Sequence, residues 1–267
     1  MADAQQDLRG AFDAAARDFA ALGRHLWNPI GTAVTAVAKP GPGERVLDAC
    51  CGTGASAIPA AHAVGPDGVV DAIDLSGPMV DEVRRLSAGL PQLRPGQADV
   101  TTWPGADYDL VQCALGIFFF PDMTAGTDHL ISRARHGGRV VLTIWRGDAI
   151  MSPGRHLGRA VSAVTGAEPP APRPPQLIDQ IGQADAYAAW LTERGLAGVE
   201  VTVNEMRLEM TDEVAWLLVL GSGFRRALAD LSAEVVADVR EHYLASLRAD
   251  GLSELDATTL IGSGGRP

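Results

Sequence analysis

The sequence has little positive charge and almost no lysine. It carries 22 lysines and arginines, of which only Lys39 is a lysine, against 33 aspartates and glutamates, and its formal net charge is -11. Proteins that bind nucleic acid draw most of their affinity from basic side chains that neutralise phosphates. The charge balance therefore argues against a nucleic-acid partner and favours a small-molecule ligand.

Cysteines and long apolar runs are also scarce. The three cysteines include the adjacent pair Cys50 and Cys51, and this number and spacing fit neither a disulfide framework nor a zinc site. The longest apolar runs, 114–120 and 215–220, fall far short of the ~20 residues that a membrane helix requires. The N-terminal residues lack the basic and then apolar order of a secretory signal. We therefore expect a cytoplasmic protein with no metal and no membrane span.

Strand-like and helix-like segments alternate along the chain. Apolar residues at three- and four-residue spacing predict an amphipathic helix over residues 5–22. Further on, strands are predicted at 45–48, 68–74, 109–114, 139–145 and 199–205, with helices at 55–63, 77–88 and 184–195. A helical block at 211–249 and a final strand at 255–261 follow. Alternation of this kind predicts an α/β fold with a mainly parallel, doubly wound sheet.

We divide the chain into four segments. These are an N-terminal helical lid at 1–40, a core at 41–210, a helical insertion at 211–249, and a final strand and tail at 250–267. Within the core, residues 147–183 contain Pro169, Pro170, Pro172, Pro174 and Pro175, a composition that predicts a loop-rich excursion and not a core element. Lid, excursion and insertion together are expected to roof an acceptor pocket.

The segment most informative about chemistry is 46–54, Val-Leu-Asp-Ala-Cys-Cys-Gly-Thr-Gly. Small residues between a strand and a helix let a ligand touch the backbone. Gly52, Gly54 and Ala57, with Asp74 about 20 residues on, also satisfy the dinucleotide fingerprint. Asp48 favours S-adenosylmethionine, because a carboxylate at the loop repels a pyrophosphate and attracts the ammonium group of an amino-acid-bearing cofactor.

Five segments in order resemble the class I methyltransferase family, and in particular its small-molecule branch of ubiquinone and menaquinone biosynthesis methyltransferases. They are residues 46–54, 72–79, 97–100, 108–111 and 135–142, and the resemblance extends over roughly residues 10–205. It implies a Rossmann-like, seven-stranded mixed sheet whose last strand is antiparallel, with helices on both faces and a helical lid. It also implies S-adenosylmethionine as methyl donor and S-adenosylhomocysteine as product.

The resemblance assigns roles to residues of this chain. It implies that Asp74 holds the ribose hydroxyls, that Asp99 and the Val100 amide recognise adenine, and that Leu75 packs on the adenine face. The full set of expected cofactor-binding residues is Asp48, Cys50, Gly52, Gly54, Asp74, Leu75, Met79, Asp99, Val100 and Ala114. Cys50 stands where the family usually has its first glycine, so the loop backbone could take a different course.

The segment 116–122, Gly-Ile-Phe-Phe-Phe-Pro-Asp, lies where the family positions the acceptor. It lacks the Asn/Asp-Pro-Pro-aromatic sequence of enzymes that methylate nucleic-acid amines. Trp27, Phe119 and Trp145 are the candidate acceptor-binding residues, and the sequence offers no clear general base. We therefore expect direct SN2 methyl transfer to a small, fairly apolar molecule of biosynthetic or secondary metabolism.

The sequence also allows two other functions. A non-methylating protein that binds S-adenosylmethionine on the same fold is an alternative, and an NAD-dependent oxidoreductase is a weaker one. The partner is expected to be a small-molecule acceptor, and a homodimer is compatible with the sequence.

Overall fold

A computed structural model describes residues 2–168 and 174–267. The helices are α1 (Ala2–Gly23), α2 (Trp27–Ala38), α3 (Ala57–Val64), α4 (Gly77–Leu86), α5 (Met123–Arg133), α6 (Met151–Thr165), α7 (Leu177–Gln180), α8 (Ala184–Glu193), α9 (Asp212–Leu220) and α10 (Ala233–Ala249). The strands are β1 (Arg45–Ala49), β2 (Val69–Asp74), β3 (Leu93–Gln97), β4 (Tyr108–Ala114), β5 (Ala134–Trp145), β6 (Ala197–Asn204), β7 (Arg207–Glu209), β8 (Glu254–Asp256) and β9 (Thr259–Gly265). None of the helices in the described ranges is long and apolar enough to cross a membrane.

Seven strands form one sheet in the order β3-β2-β1-β4-β5-β9-β6. Its pairings are parallel except those of β9, which runs antiparallel to both β5 and β6. The predicted seven-stranded mixed sheet with an antiparallel last strand is thereby confirmed. The strand order reverses between β1 and β4, and such a reversal opens a crevice at the carboxyl ends of these two strands.

The central strand β1 is buried on both faces, as expected of a strand inside a parallel sheet. Val46 belongs to the core formed with α2, α3, α6, α9 and α10, whereas Leu47 belongs to the core formed with α5 and α8. Because side chains alternate along a strand, Asp48 shares the face of Val46. A carboxylate therefore points into the apolar side of the fold that α2 covers.

Helix α2 was missing from the sequence prediction, since Pro29, Gly31 and β-branched residues obscure its helical pattern. It packs over β4, β5 and β9, with Ile30 and Val34 fully buried. Pro29 lies in the first turn, where its missing N–H costs no hydrogen bond. A β-carbon on Gly31 would lie 2.2 Å from the carbonyl oxygen of Ala55. The bare glycine thus lets α2 rest directly on the backbone that follows the Gly52–Gly54 loop.

Part of the segment 147–183, which its prolines predicted to be a loop-rich excursion, is a helix in the described residues. Residues 151–165 form α6, which packs against α10 and buries His156, Leu157 and Ala160. Pro153 is accommodated because it lies in the first turn of this helix. The prolines at 169, 170 and 172 lie outside the described residues.

The prediction of the final strand is also wrong in its bounds. The expected strand at 255–261 is split in two, because β8 pairs with β7 in a separate two-stranded sheet and β9 starts only at Thr259. Asp256 ends β8 by accepting a hydrogen bond from the Thr258 amide at 2.9 Å, and its side chain also pairs with Arg146 at 2.8 Å. These contacts turn the chain from the small sheet into the main one.

The close approach of α2 makes a testable prediction. Gly31→Ala forces a methyl group into the Ala55 backbone, so the free energy of unfolding should fall by about 1–3 kcal/mol. The matched control is Gly158→Ala in α6, where a β-carbon meets nothing within 4 Å. That variant should be stabilised by about 0.5–1 kcal/mol through helix propensity. Urea unfolding measures both variants, and equal stabilities would show that α2 does not contact the loop backbone.

Candidate functional site

The loop after β1 is shaped by residues in the left-handed backbone region. Cys50 has φ 56°, Gly52 φ 51° and Gly54 φ 91°, and Leu115 at the end of β4 has φ 58°. A non-glycine residue pays roughly 1–2 kcal/mol for this conformation. Cys50 therefore keeps the left-handed geometry that a glycine would adopt freely, and strain is concentrated where β1 and β4 end.

Asp74 lies at the carboxyl end of β2 and connects to the loop. Its carboxylate accepts hydrogen bonds from the amides of Gly52 and Ser76, each at 2.9 Å. Burial raises the pKa of Asp74, and these backbone donors lower it in part. The Ala98 amide donates to the Asp74 carbonyl at 3.0 Å, which brings β2 and the start of the 97–100 segment together.

Asp48 is fully buried between β1 and β4. The Gln112 amide donates to its Oδ2 at 2.7 Å, and these two residues are direct neighbours in the β1–β4 pairing. Within the described residues, Asp48 Oδ1 and Gln112 Oε1 have no hydrogen-bond partner. Burial raises the pKa of Asp48 to about 6, and the polar side chains of Gln112 and Ser56 oppose this rise. An ammonium group has several N–H donors and could donate hydrogen bonds to both of these buried acceptor atoms.

The residues expected around adenine occupy different environments. Asp99 is partly exposed and caps a short 3-10 helix, accepting from the amide and hydroxyl of Thr101 at 2.9 and 2.6 Å. Leu75 is also partly exposed, whereas Val100 is buried in the core with α5 and α8. Met79 is buried on α4, a helix that packs against α1. Of this group, Asp99 and Leu75 are therefore the side chains open to a ligand.

A chain of aromatic rings covers the crevice. Phe118 and Phe119 contact each other, Phe119 meets Phe12, Phe12 meets Phe19, Phe19 stacks on Trp27 at 4.6 Å, and Trp27 lies 6.4 Å from Trp145. The three candidate acceptor residues are thus brought into one surface by two rings of α1. Phe12 and Phe19 were read in the sequence only as helix-face residues. The sign available in the sequence was their spacing of seven residues, which places both rings on one face of a helix that precedes the Gly52–Gly54 loop in the chain.

Helix α1 is tied down on two sides. Ser76 donates to Asp13 at 2.6 Å, and Arg225 pairs with Asp18 at 2.6 Å. A β-carbon on Gly221 would lie 2.6 Å from the Asp18 carbonyl oxygen, so the turn after α9 rests on the α1 backbone. We call α1 together with α9 and residues 223–228 the roof. The N-terminal helix and the insertion therefore act as one cover.

The structure brings most of the predicted site residues together at the carboxyl ends of β1, β2 and β4. Gly54 is an exception, because it is buried against Ile58 and Val83 and faces α3 and α4. Gln112 was missed, since a glutamine inside an apolar strand carries no motif. In the described residues no group of three or more His, Cys, Asp or Glu side chains is arranged to hold a metal ion.

Comparison with known proteins adds to this geometry. A family model described as a methyltransferase domain matches residues 46–138. The chain is 34% identical over 143 residues to aklanonic acid methyltransferase DauC of Streptomyces sp. (strain C5), covering 52% of this chain and 65% of that protein. It is 32% identical over 136 residues to nocamycin O-methyltransferase of Saccharothrix syringae, covering 49% of each. The chain thus spans about half to two thirds of the length of these curated relatives.

The likeness in fold extends over more of the chain. The YcgJ protein of Bacillus subtilis superimposes with a TM-score of 0.56 over 90% of this chain and 98% of that one, at 15% sequence identity. The strand order defines a Rossmann-like α/β fold. Residues 46–138 are similar to a methyltransferase domain, and the two curated relatives that share this region are methyltransferases.

The buried Asp48 predicts a stability that depends on pH. Its pKa in the folded protein, about 6, lies above its ordinary value of 3.8. The protonated form is therefore favoured by folding, and the stability it contributes is full below pH about 4 and lost as the pH rises through 6. Asp48→Asn, which still accepts from Gln112, should gain up to about 3 kcal/mol on wild type between pH 4 and pH 8. Urea unfolding across this range checks it, and a difference that does not change with pH would contradict it.

Proposed function

We propose that the protein transfers a methyl group from S-adenosylmethionine to a small, largely apolar acceptor. The observation that carries the proposal is the pair of unpartnered acceptor atoms on Asp48 and Gln112, beside a strained loop at the sheet reversal. When bound, S-adenosylmethionine supplies an electrophilic methyl group on a sulfonium. The two methyltransferase relatives support this reading of the site.

The cofactor would be held along the carboxyl ends of three strands. Asp48 Oδ1 and Gln112 Oε1 would accept from the ammonium group, which satisfies both atoms and offsets the cost of burying the carboxylate. Asp74 would accept from the ribose hydroxyls, and Asp99 and the Val100 amide would meet adenine. Gly52 and Ala114 would present backbone to the methionine end. In each case the residue offers a group whose polarity matches the part of the cofactor assigned to it.

The acceptor would lie under the aromatic rings of the roof. Phe119 is 39% exposed, an unusual state for a large apolar side chain, and it lies beside Phe12 and Phe118. Methyl transfer from a sulfonium is a displacement in line, and fixing two reactants in line can lower its barrier by ~7–11 kcal/mol without an acid or base. The rings would supply this alignment and exclude water.

A nucleic-acid acceptor does not fit this site. The net charge of -11 opposes a phosphate backbone, and the 116–122 segment lacks the Pro-Pro-aromatic sequence. The roof also contributes carboxylates, Asp13 and Asp18, to the surface over the site. We therefore place a small molecule, and not DNA or RNA, under the roof.

Cofactor binding is tested first at Asp74. Hydrogen bonds to a charged group are worth about 1.5–3 kcal/mol, so Asp74→Ala should weaken S-adenosylhomocysteine binding by about tenfold to over a hundredfold. Titration calorimetry on folded protein measures this affinity. The matched control is Asp109→Ala at the opposite end of the sheet, where the carboxylate pairs with Arg135 at 2.7 Å. That variant should bind as wild type does.

Two outcomes would contradict the assignment. An unchanged affinity of Asp74→Ala would remove Asp74 from the cofactor site. If wild type binds NADH and does not bind S-adenosylhomocysteine, the methyltransferase proposal is wrong and an oxidoreductase function is favoured. Release of S-adenosylhomocysteine in the presence of an acceptor is the direct assay of activity.

The roof must move to admit a ligand, because Phe19 lies against Gly52: a β-carbon there would be 3.2 Å from the ring. We expect residues 9–23 and 212–228 to exchange amide hydrogens faster than residues 139–145 in the free protein and to gain protection together with S-adenosylhomocysteine. Helix α6, which the sequence placed in the lid, packs on α10 and should change less. Hydrogen exchange with mass spectrometry decides this. If the amides of the roof are as protected from exchange as those of β5 in the free protein, the expected opening of the roof is wrong.

A further inference from the structure

The three cysteines of the chain lie at or just after the carboxyl ends of β1 and β4, but they do not share one environment. Cys51 is buried in the core formed with α2 and α3. Cys113 is buried in the core formed with α5 and α8, and Cys50 packs against that same core. Cys50 also follows directly on Ala49, the register partner of Cys113 across the β1–β4 pairing. The sheet therefore brings Cys50 to Cys113 and turns Cys51 to the opposite face.

The sulfur atoms of Cys50 and Cys113 lie side by side next to Gly116. A β-carbon on this glycine would lie 2.8 Å from the Cys50 sulfur and 2.7 Å from the Cys113 sulfur, so both sulfurs face the same point. Neighbouring strands lie about 4.7–4.9 Å apart, and a disulfide joins Cα atoms about 4.4–6.8 Å apart. The ends of β1 and β4 thus suit a disulfide, and the missing side chain of Gly116 leaves the space for it.

We propose that Cys50 and Cys113 form an oxidation site, at which a hydroperoxide joins the two thiols in a disulfide and thereby closes the cofactor site. Cys50 is partly exposed, whereas Cys113 is fully buried in β4. The oxidant therefore reaches Cys50 first, and Cys113 is the thiol that resolves the oxidised form. The disulfide itself is independent of the activity, and only its effect on cofactor binding rests on the proposed function.

The reaction balances with one molecule of hydroperoxide. The Cys50 sulfur attacks a peroxide oxygen, the O–O bond breaks, and a sulfenic acid forms while the rest of the peroxide leaves as an alcohol or as water. The Cys113 sulfur then attacks the Cys50 sulfur, the S–O bond breaks, and water leaves as the S–S bond forms. The two thiols lose two electrons and two protons, and the products of the peroxide take up both.

The two thiols are slow to react while the protein is reduced. Proximity to the Cys113 thiol and burial raise the pKa of Cys50 well above its usual range, and the nearby Asp74 and Cys51 add to this rise. Because a peroxide oxidises the thiolate, few molecules are reactive near neutral pH. The thiols should therefore stay reduced under ordinary conditions and respond to a high load of peroxide. Oxidation should quicken about tenfold for each unit of rising pH, as the thiolate fraction does.

The disulfide acts on the cofactor site through the loop after β1. Cys113 is held inside the sheet by β1 and β5, whereas Cys50 begins the loop and has a left-handed backbone with φ 56°. Drawing the sulfurs to the bonded distance of about 2.0 Å therefore moves the loop and not the strand. The Gly52 amide, which donates to Asp74 at 2.9 Å, moves with the loop. The loop backbone then no longer fits the cofactor that the proposed function places on it.

The test treats the reduced protein with hydrogen peroxide, maps the cysteines by peptide mass spectrometry and measures S-adenosylhomocysteine affinity by calorimetry. Wild type should gain a disulfide between Cys50 and Cys113, which makes the linked peptides lighter by two hydrogen atoms. Its affinity should fall by about tenfold or more, the effect of losing one hydrogen bond to a charged group. Dithiothreitol should restore both the thiols and the affinity.

Two variants control for the pairing. Cys113→Ala removes the resolving thiol, so Cys50 should instead carry sulfenic and then sulfinic acid, and dithiothreitol should not reverse the sulfinic form. Cys51→Ala removes a buried thiol on the other face of the sheet and should form the disulfide as wild type does. The mapping of wild type needs neither variant to fold.

The outcomes separate this inference from the proposed function. A disulfide that joins Cys50 to Cys51, or sulfinic acid on Cys50 beside a reduced Cys113 in wild type, would overturn the oxidation site. A disulfide that leaves the affinity unchanged, or a loss of affinity that dithiothreitol does not reverse, would overturn its closure of the cofactor site. If reduced wild type does not bind S-adenosylhomocysteine at all, the proposed function is wrong, and the mapped disulfide still decides the pairing.

Discussion

The arrangement of the site depends on one buried carboxylate, that of Asp48 between β1 and β4. A charge in this position is expensive, and the hydrogen bond from Gln112 reaches only Oδ2 of the carboxylate. The surrounding fold nevertheless holds it there, because the parallel register of β1 and β4 fixes both side chains on the face that α2 covers. The free protein thus carries an electrostatic cost that a bound ammonium group would offset.

The backbone around this carboxylate is shaped for close approach. Cys50 and Leu115 hold left-handed conformations at the ends of the two strands that flank Asp48. Gly31 allows α2 to rest on the Ala55 backbone, and Gly221 allows the insertion to rest on α1. Side chains at either glycine would separate elements that now touch. Strain and close packing are therefore located together, at the place where the sheet order reverses.

The roof links the aromatic surface to the cofactor side of the site. Phe12 and Phe19 bridge Phe119, which follows β4, and Trp27 of α2, while Asp13 of the same helix contacts Ser76, two residues beyond Asp74. A movement of α1 must therefore change the acceptor surface and the surroundings of Asp74 at once. The pairing of Asp18 with Arg225 extends this link to the insertion. The aromatic surface and the carboxyl end of β2 are in this way mechanically coupled through α1.

The sequence by itself determined the α/β class, the mainly parallel sheet and the position of the loop, because strand periodicity and small residues at strand ends are local properties. The antiparallel last strand was expected only from the resemblance of five ordered segments to a known family. Asp48 and Asp74 could be singled out for the same reason, as acids at the ends of apolar runs, whereas Asp99 was singled out by the resemblance of residues 97–100. The helix at 151–165 and the split of the last strand were missed, since prolines and glycines mask a helix whose burial comes from distant α10. Only the tertiary structure decided that Gln112 completes the Asp48 site, that Phe12 and Phe19 join Trp27 to Phe119, and that the sulfurs of Cys50 and Cys113 face the same point. Each of these facts depends on register and helix packing between residues far apart in the chain, which no local pattern encodes.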